Sequence, residues 1–139
     1  MSPSKQQTGL TPEEKAAMRA MLKERKLNET GEKAIKDSLA EMTPADRALG
    51  KRVHELVTKA APDLTPKTWY GMPAYANKDG KVVVFFRNAG KFKERYSMLG
   101  FNDSARIDDG TMWPIAYALT KLTAADEKKI TALVKKAVS

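Results

Sequence analysis

His54 is the single histidine of the chain, and no cysteine accompanies it. A transition-metal site of imidazole and thiolate donors therefore has one member at most. Disulfides, thiolate zinc sites and a cysteine nucleophile are excluded outright. Ser38, Ser97 and Ser104 lack a nucleophile-elbow context, so a Ser-His-Asp triad has no support. The 8 glycines are scattered, forming neither a Walker loop nor a GxGxxG turn. His54 is read as a structural or surface side chain, and no catalytic constellation emerges.

Three other groups of residues carry chemistry. Asp103, Asp108 and Asp109, in the loop 102–110, supply hard oxygen donors of the kind that Mg²⁺ or iron accepts. Their spacing fails the EF-hand pattern and Arg106 lies among them, so a cap or turn is the plainer reading. Arg87, Lys91, Lys93 and Arg95 interleave with Phe85, Phe86, Phe92 and Tyr96. On an antiparallel hairpin such rings stack bases while the cations engage phosphate. The RRM signature is missing, and a helix over that face would put Phe92 and Tyr96 in the core. The segment Trp69-Tyr70-Gly71-Met72-Pro73-Ala74-Tyr75 is the third group. Gly71 permits a conformation that side chains oppose, and Pro73 fixes φ just beyond it. This turn pins a strand entrance, or its residues Trp69, Tyr70, Met72, Pro73 and Tyr75 wall a small apolar pocket.

The elements that must position these groups are marked by capping chemistry. Thr11-Pro12-Glu13-Glu14, Thr43-Pro44-Ala45-Asp46 and Thr123-Ala124-Ala125-Asp126 each offer a hydroxyl N-cap with an acid three residues later. After Thr43, Ala45, Ala48, Leu49, Val53, Leu56, Val57 and Ala60 recur at helical spacing until Pro62. The last helix is expected to place Ile130, Leu133, Val134, Ala137 and Val138 on one face. Residues 12–26 are helical by propensity with a narrow stripe. A break is expected near Asn28 to Gly31, before a second short helix carrying Ile35, Leu39 and Met42. This extension is expected to pack less firmly than the rest.

Lys81 to Arg87 is a β-branched and aromatic run expected to be a central strand. Asn77-Lys78-Asp79-Gly80 carries a hairpin signature, pairing it with a strand around Pro73 to Ala76. A turn at Asn88-Ala89-Gly90 leads into a strand expected from Phe92 to Phe101, and Trp113 to Thr120 gives an edge strand. The fold class is α+β: an antiparallel meander packed by helices, with a helical N-terminal extension. Flexible residues 1–10, an extension over 11–43 and a domain over 44–139 are the expected organisation.

The chain has 139 residues and a net charge of +8. Residues 44–139 hold 17 basic and 10 acidic side chains, so the excess lies in the domain. Anionic partners are favoured: nucleic acid, phosphorylated small ligands or an acidic protein surface. No run approaches the ~18 apolar residues of a membrane span. Without a secretory-type apolar segment, the cytoplasm is the expected compartment.

From Tyr70 to Tyr75 the sequence resembles the YdhG-like family, a domain of unknown function related to the YjbR/CyaY-like group. The likeness extends over residues 44–139, taking in Ala60-Ala61-Pro62, Lys81 to Phe86, Lys91-Phe92, Leu99-Gly100-Phe101 and the closing helix. It implies an antiparallel sheet with flanking helices. For some members it implies a frataxin-like iron chaperone, which receives ferrous iron on an acidic helix face. Residues 44–139 instead carry net +7. The resemblance therefore implies a non-catalytic binding domain for a small ligand or partner protein, with no cofactor other than iron. The alternative is a nucleic-acid-binding domain using the basic aromatic hairpin.

Overall fold

Thr11 starts the first helix as its sequence directs. Its hydroxyl accepts from the Glu14 N–H, and the Glu14 carboxylate accepts from the Thr11 N–H, both at 3.1 Å. These bonds hold Glu14 below the usual carboxylate range. The computed structural model describes residues 11–139, so the flexible segment expected over residues 1–10 lies outside the described residues.

Helix α1 runs unbroken from Pro12 to Ala40. The break expected near Asn28 to Gly31 is absent, because Gly31 is buried where the helix meets the chain at Pro66. The expectation of loose packing holds for the longer, N-terminal part of α1. The described side chains from Pro12 to Thr30 are exposed, whereas Ile35 and Leu39, with Met42 just beyond the helix, join the core. Arg47 ties off the end of α1 by donating to the carbonyls of Leu39, Ala40 and Met42, where a cation suits the negative helix end.

Helix α2 spans Pro44–Ala60 and is capped by the Thr43 hydroxyl, which accepts from the Asp46 N–H. The buried Asp46 carboxylate does not close a capping box. It accepts instead from the Gly90 N–H at 2.9 Å, tying α2 to the far end of the sheet.

Five antiparallel strands lie in chain order: β1 Thr65–Trp69, β2 Met72–Ala76, β3 Val82–Arg87, β4 Ser97–Phe101 and β5 Ala116–Leu119. β3 is central, as its composition predicts. β1 is an addition, an edge strand that tolerates Pro66. The strand expected from Phe92 to Phe101 begins only at Ser97. Residues Ala89–Phe92 form the short helix α3, which ends at Lys93 in the left-handed conformation, φ 53°. Helix α4, Ala124–Ala137, closes the chain with a complete capping box at Thr123 and Asp126.

Strand alternation sorts the sheet into two faces. One face carries Tyr75, Val84, Phe86, Leu99, Phe101 and Leu119, which share a single core with Ile35, Leu39, Val53, Leu56, Val57, Ile130 and Val134 from the helices. Each buried aliphatic or phenyl group there contributes about 1.5–3 kcal/mol. Leu56 is buried as its stripe predicts, while Leu133 is half-buried at the edge of the cluster. Among the described residues no helix is long and apolar enough to cross a membrane.

Candidate functional site

The two-residue turn between β1 and β2 explains the Tyr70-Gly71 pair. Tyr70 has φ 51° and Gly71 φ 75°, so both central residues are left-handed, as in a type I′ hairpin. Glycine adopts that conformation without strain; Tyr70 is held in it from two sides. Its carbonyl accepts from the Lys91 ammonium at 3.0 Å, and the Gly71 carbonyl accepts from the Ser38 hydroxyl at 2.9 Å. The turn is thereby clamped to α1 and α3.

The register of this hairpin separates the aromatic residues that neighbour one another in sequence. Trp69 pairs with Met72 and Pro66 with Tyr75, so Trp69 and Tyr75 face opposite sides of the sheet. Tyr75 is 1% exposed and lies in the core; Met72 and Pro73 are buried, and Tyr70 is 76% exposed. The five residues proposed from sequence do not line one pocket. Trp69 and Tyr70 stay together, with ring centroids 5.0 Å apart.

Trp69 instead joins Phe85 on the face opposite the helical core, the ring centroids 5.2 Å apart. The row Lys67, Ala74, Phe85, Gly100, Ala116 crosses this face strand by strand. Ala74 and Gly100 are small enough to be paved over by the rings. A Cβ on Gly100 would collide with the Phe85 ring, approaching its Cε1 to 2.6 Å. Trp69, Phe85, Lys67, Arg87 and Met98 all remain half-buried. None of them belongs to the cluster that the helices cover.

The cations on this face are organised by the same strands. Lys67 precedes Trp69 by two residues and Arg87 follows Phe85 by two, which places each cation beside a ring on the same side. The Arg87 guanidinium carbon sits 3.7 Å from the Phe92 ring centroid, and its Nε donates to Glu94 at 2.7 Å. Lys67 and Lys81 flank a recess of about 390 Å³ that Trp69, Val82, Asn102, Asp103 and Ser104 complete. Two lysines and one carboxylate, that of Asp103, are among the lining residues, and the Ser104 hydroxyl donates to the Val82 carbonyl at 3.0 Å.

Of the basic and aromatic residues expected on a hairpin, Arg87, Lys91 and Phe92 gather at the sheet corner. Lys93, Arg95 and Tyr96 lie exposed beyond α3, off any strand, where the Arg95 guanidinium stands 5.0 Å from the Tyr96 ring centroid. The left-handed Lys93 breaks the alternation on which the hairpin expectation rested. Neither Phe92 nor Tyr96 enters the core. Asp103, Asp108 and Asp109 are exposed. Among the described residues no three Asp, Glu, His or Cys side chains gather as a metal-holding group. No family model, curated protein or solved structure matches this chain.

His54 has partners that its sequence position did not reveal. Its Nε2 lies 2.8 Å from the Glu32 carboxylate of α1, and its Nδ1 lies 2.8 Å from the Tyr75 hydroxyl of β2. Acid, imidazole and hydroxyl stand in the order of a relay, but Tyr75 is buried within the core. A substrate cannot reach that oxygen, and the chain of bonds ties two helices to the sheet. Spacing gave no signal of this link; it joins three elements through pairs 22 and 21 residues apart.

Proposed function

We propose that the chain is a non-catalytic binding module whose sheet face opposite the helical core engages single-stranded nucleic acid. The observation that carries this is the half-exposed pair Trp69 and Phe85, each with a cation two residues away on the same face. Bases of any sequence stack on such rings, and Lys67, Lys81 and Arg87 lie within reach of the connecting phosphates. The basic excess of residues 44–139 adds long-range attraction for the same ligand. A cytoplasmic location accompanies this reading. Membership of the YdhG-like family belongs to the same proposal and rests on the Tyr70 to Tyr75 phrase. Iron carriage draws no support from the exposed, ungathered carboxylates.

The test is binding of a labelled oligo-uridine by fluorescence anisotropy. Stacking contributes about 1–3 kcal/mol per base, so Trp69→Ala is expected to weaken binding about 5- to 150-fold. Neutralising three phosphates, one each for Lys67, Lys81 and Arg87, makes affinity fall roughly 20-fold between about 50 and about 200 mM salt. Undetectable binding at low salt, or binding indifferent to both salt and Trp69→Ala, removes the proposal.

A further inference from the structure

One group lining the recess beside Trp69 has no use on a surface meant for phosphates alone. Asp103 is exposed and shares the recess with Lys67, Lys81 and Trp69. Its carboxylate repels a phosphate backbone, so purely electrostatic binding gains nothing from it. Nor is it there to neutralise the lysines. Among the described residues the ion pairs leave Asp103, Lys67 and Lys81 out. The turn that carries Asp103 is fixed through its backbone. The Ala105 N–H donates to the Asn102 carbonyl at 3.0 Å, and the Asn102 N–H donates to the Val83 carbonyl at 3.1 Å. The Ser104 hydroxyl adds its bond to Val82. Asn102, Asp103 and Ser104 are thereby pinned to the start of β3, and all line the recess. Backbone bonds that hold a turn in place leave its carboxylate and carboxamide to act on a ligand.

We propose, on the strength of the nucleic-acid reading above, that this recess takes a guanine base, selected by Asp103 and Asn102. Guanine alone presents adjacent N–H donors, N1–H and the N2 amino group, on its Watson–Crick edge. A carboxylate accepts both in parallel, the arrangement that makes bidentate bonds strong. The O6 beside them is an acceptor, for which the Asn102 carboxamide supplies a donor. Adenine and cytosine set a ring-nitrogen acceptor next to a single amino group. Uracil sets one N–H between carbonyls. Each of these turns at least one lone pair toward the carboxylate and forfeits a bond. Trp69 stacks on whichever base enters, so the ring supplies affinity and the turn supplies the choice. Lys67 and Lys81 remain for the neighbouring phosphates.

Competition against labelled oligo-uridine at low salt, read by anisotropy, tests this with RNAs of about eight nucleotides. The competitors are oligo-uridine itself and the same strand with one central guanosine, adenosine or inosine. The guanosine strand is expected to bind at least about fivefold more tightly than the uridine and adenosine strands, the least that one bidentate contact yields. Adenosine matches the stacking surface of guanosine without its paired donors. Inosine lacks only the N2 amino group and falls between the two. Asp103→Asn abolishes the guanosine preference, while oligo-uridine binds at least as tightly as it does to the parent because a repelling charge is gone. Melting stays unchanged, since Asp103 is exposed and enters no ion pair among the described residues. Guanosine bound no better than adenosine, with oligo-uridine still bound, overturns the base choice and leaves the nucleic-acid reading standing. A guanosine preference that survives Asp103→Asn overturns it as well. No binding of any strand removes the nucleic-acid reading and the base choice together.

Discussion

Gly31→Ala is expected to destabilise the protein by about 2–4 kcal/mol, although the same change in an ordinary helix interior stabilises by about 0.5–1 kcal/mol. The sign reverses because of what lies against the helix. An added Cβ would overlap the Pro66 carbonyl oxygen and approach its carbon to 2.7 Å. Both atoms are backbone, and β1 is held in register by its pairing with β2, where Pro66 faces Tyr75. No rotamer change relieves the overlap, so α1 must lift from β1 or β1 must move off β2. Either movement loosens Ile35 and Leu39 in the core. Gly50→Ala provides the comparison. There the nearest atoms are the Leu39 Cδ2 at 2.7 Å and the Phe86 ring at 2.9 Å, side chains that can repack at lower cost. Urea unfolding should rank the parent above Gly50→Ala and that above Gly31→Ala. A Gly31→Ala variant as stable as the parent would mean that α1 does not run against β1.

That glycine also marks where sequence reasoning stopped being sufficient. Local propensity cannot tell a glycine that ends a helix from one that lets a helix pass close to a strand, and Gly31 is the second kind. Ile35, Leu39 and Met42 were legible as a stripe because burial follows helical spacing whatever precedes it. The capping sites at Thr11, Thr43 and Thr123 were legible for the same local reason, as was β3 from its β-branched run. β1 was not, since Lys67 and Thr68 give an edge strand no apolar alternation to notice.

The candidate site was half legible. Trp69 borders a tight turn that Tyr70 and Gly71 themselves form, but Tyr75 was grouped with Trp69 and Tyr70. Counting from a two-residue turn pairs Trp69 with Met72 and sends Tyr75 to the other face, so period-two alternation held the signal. Lys67 and Phe85 are brought beside Trp69 only by register across β2, which no spacing within one strand encodes. The segment from Phe92 to Tyr96 misled in the opposite direction. Its alternating rings and cations imitate a strand, while the backbone turns left-handed at Lys93 and leaves the sheet.

Tyr75 yields the second large effect, at high pH. Burial, followed by the nearby Glu32 carboxylate, pushes its phenol well above the ordinary value. The unfolded chain's tyrosine ionises at about pH 10 while the native one stays protonated. The unfolded state then binds fewer protons than the native state, so stability falls as pH rises. The slope is about 1.4 kcal/mol per pH unit above pH 10. The stabilisation is complete below pH 10 and is lost progressively toward the raised native value. Tyr75→Phe removes this dependence, together with the hydrogen bond to His54 Nδ1. Losing that bond costs about 1–2 kcal/mol at neutral pH, since the imidazole facing Glu32 keeps one nitrogen unpaired. The parent is therefore the more stable protein at pH 7, and the phenylalanine variant overtakes it near about pH 11. Stability curves that stay parallel from pH 9 to pH 11.5 would place the Tyr75 hydroxyl in contact with water, and the Glu32–His54–Tyr75 tie between α1, α2 and β2 would fall with it.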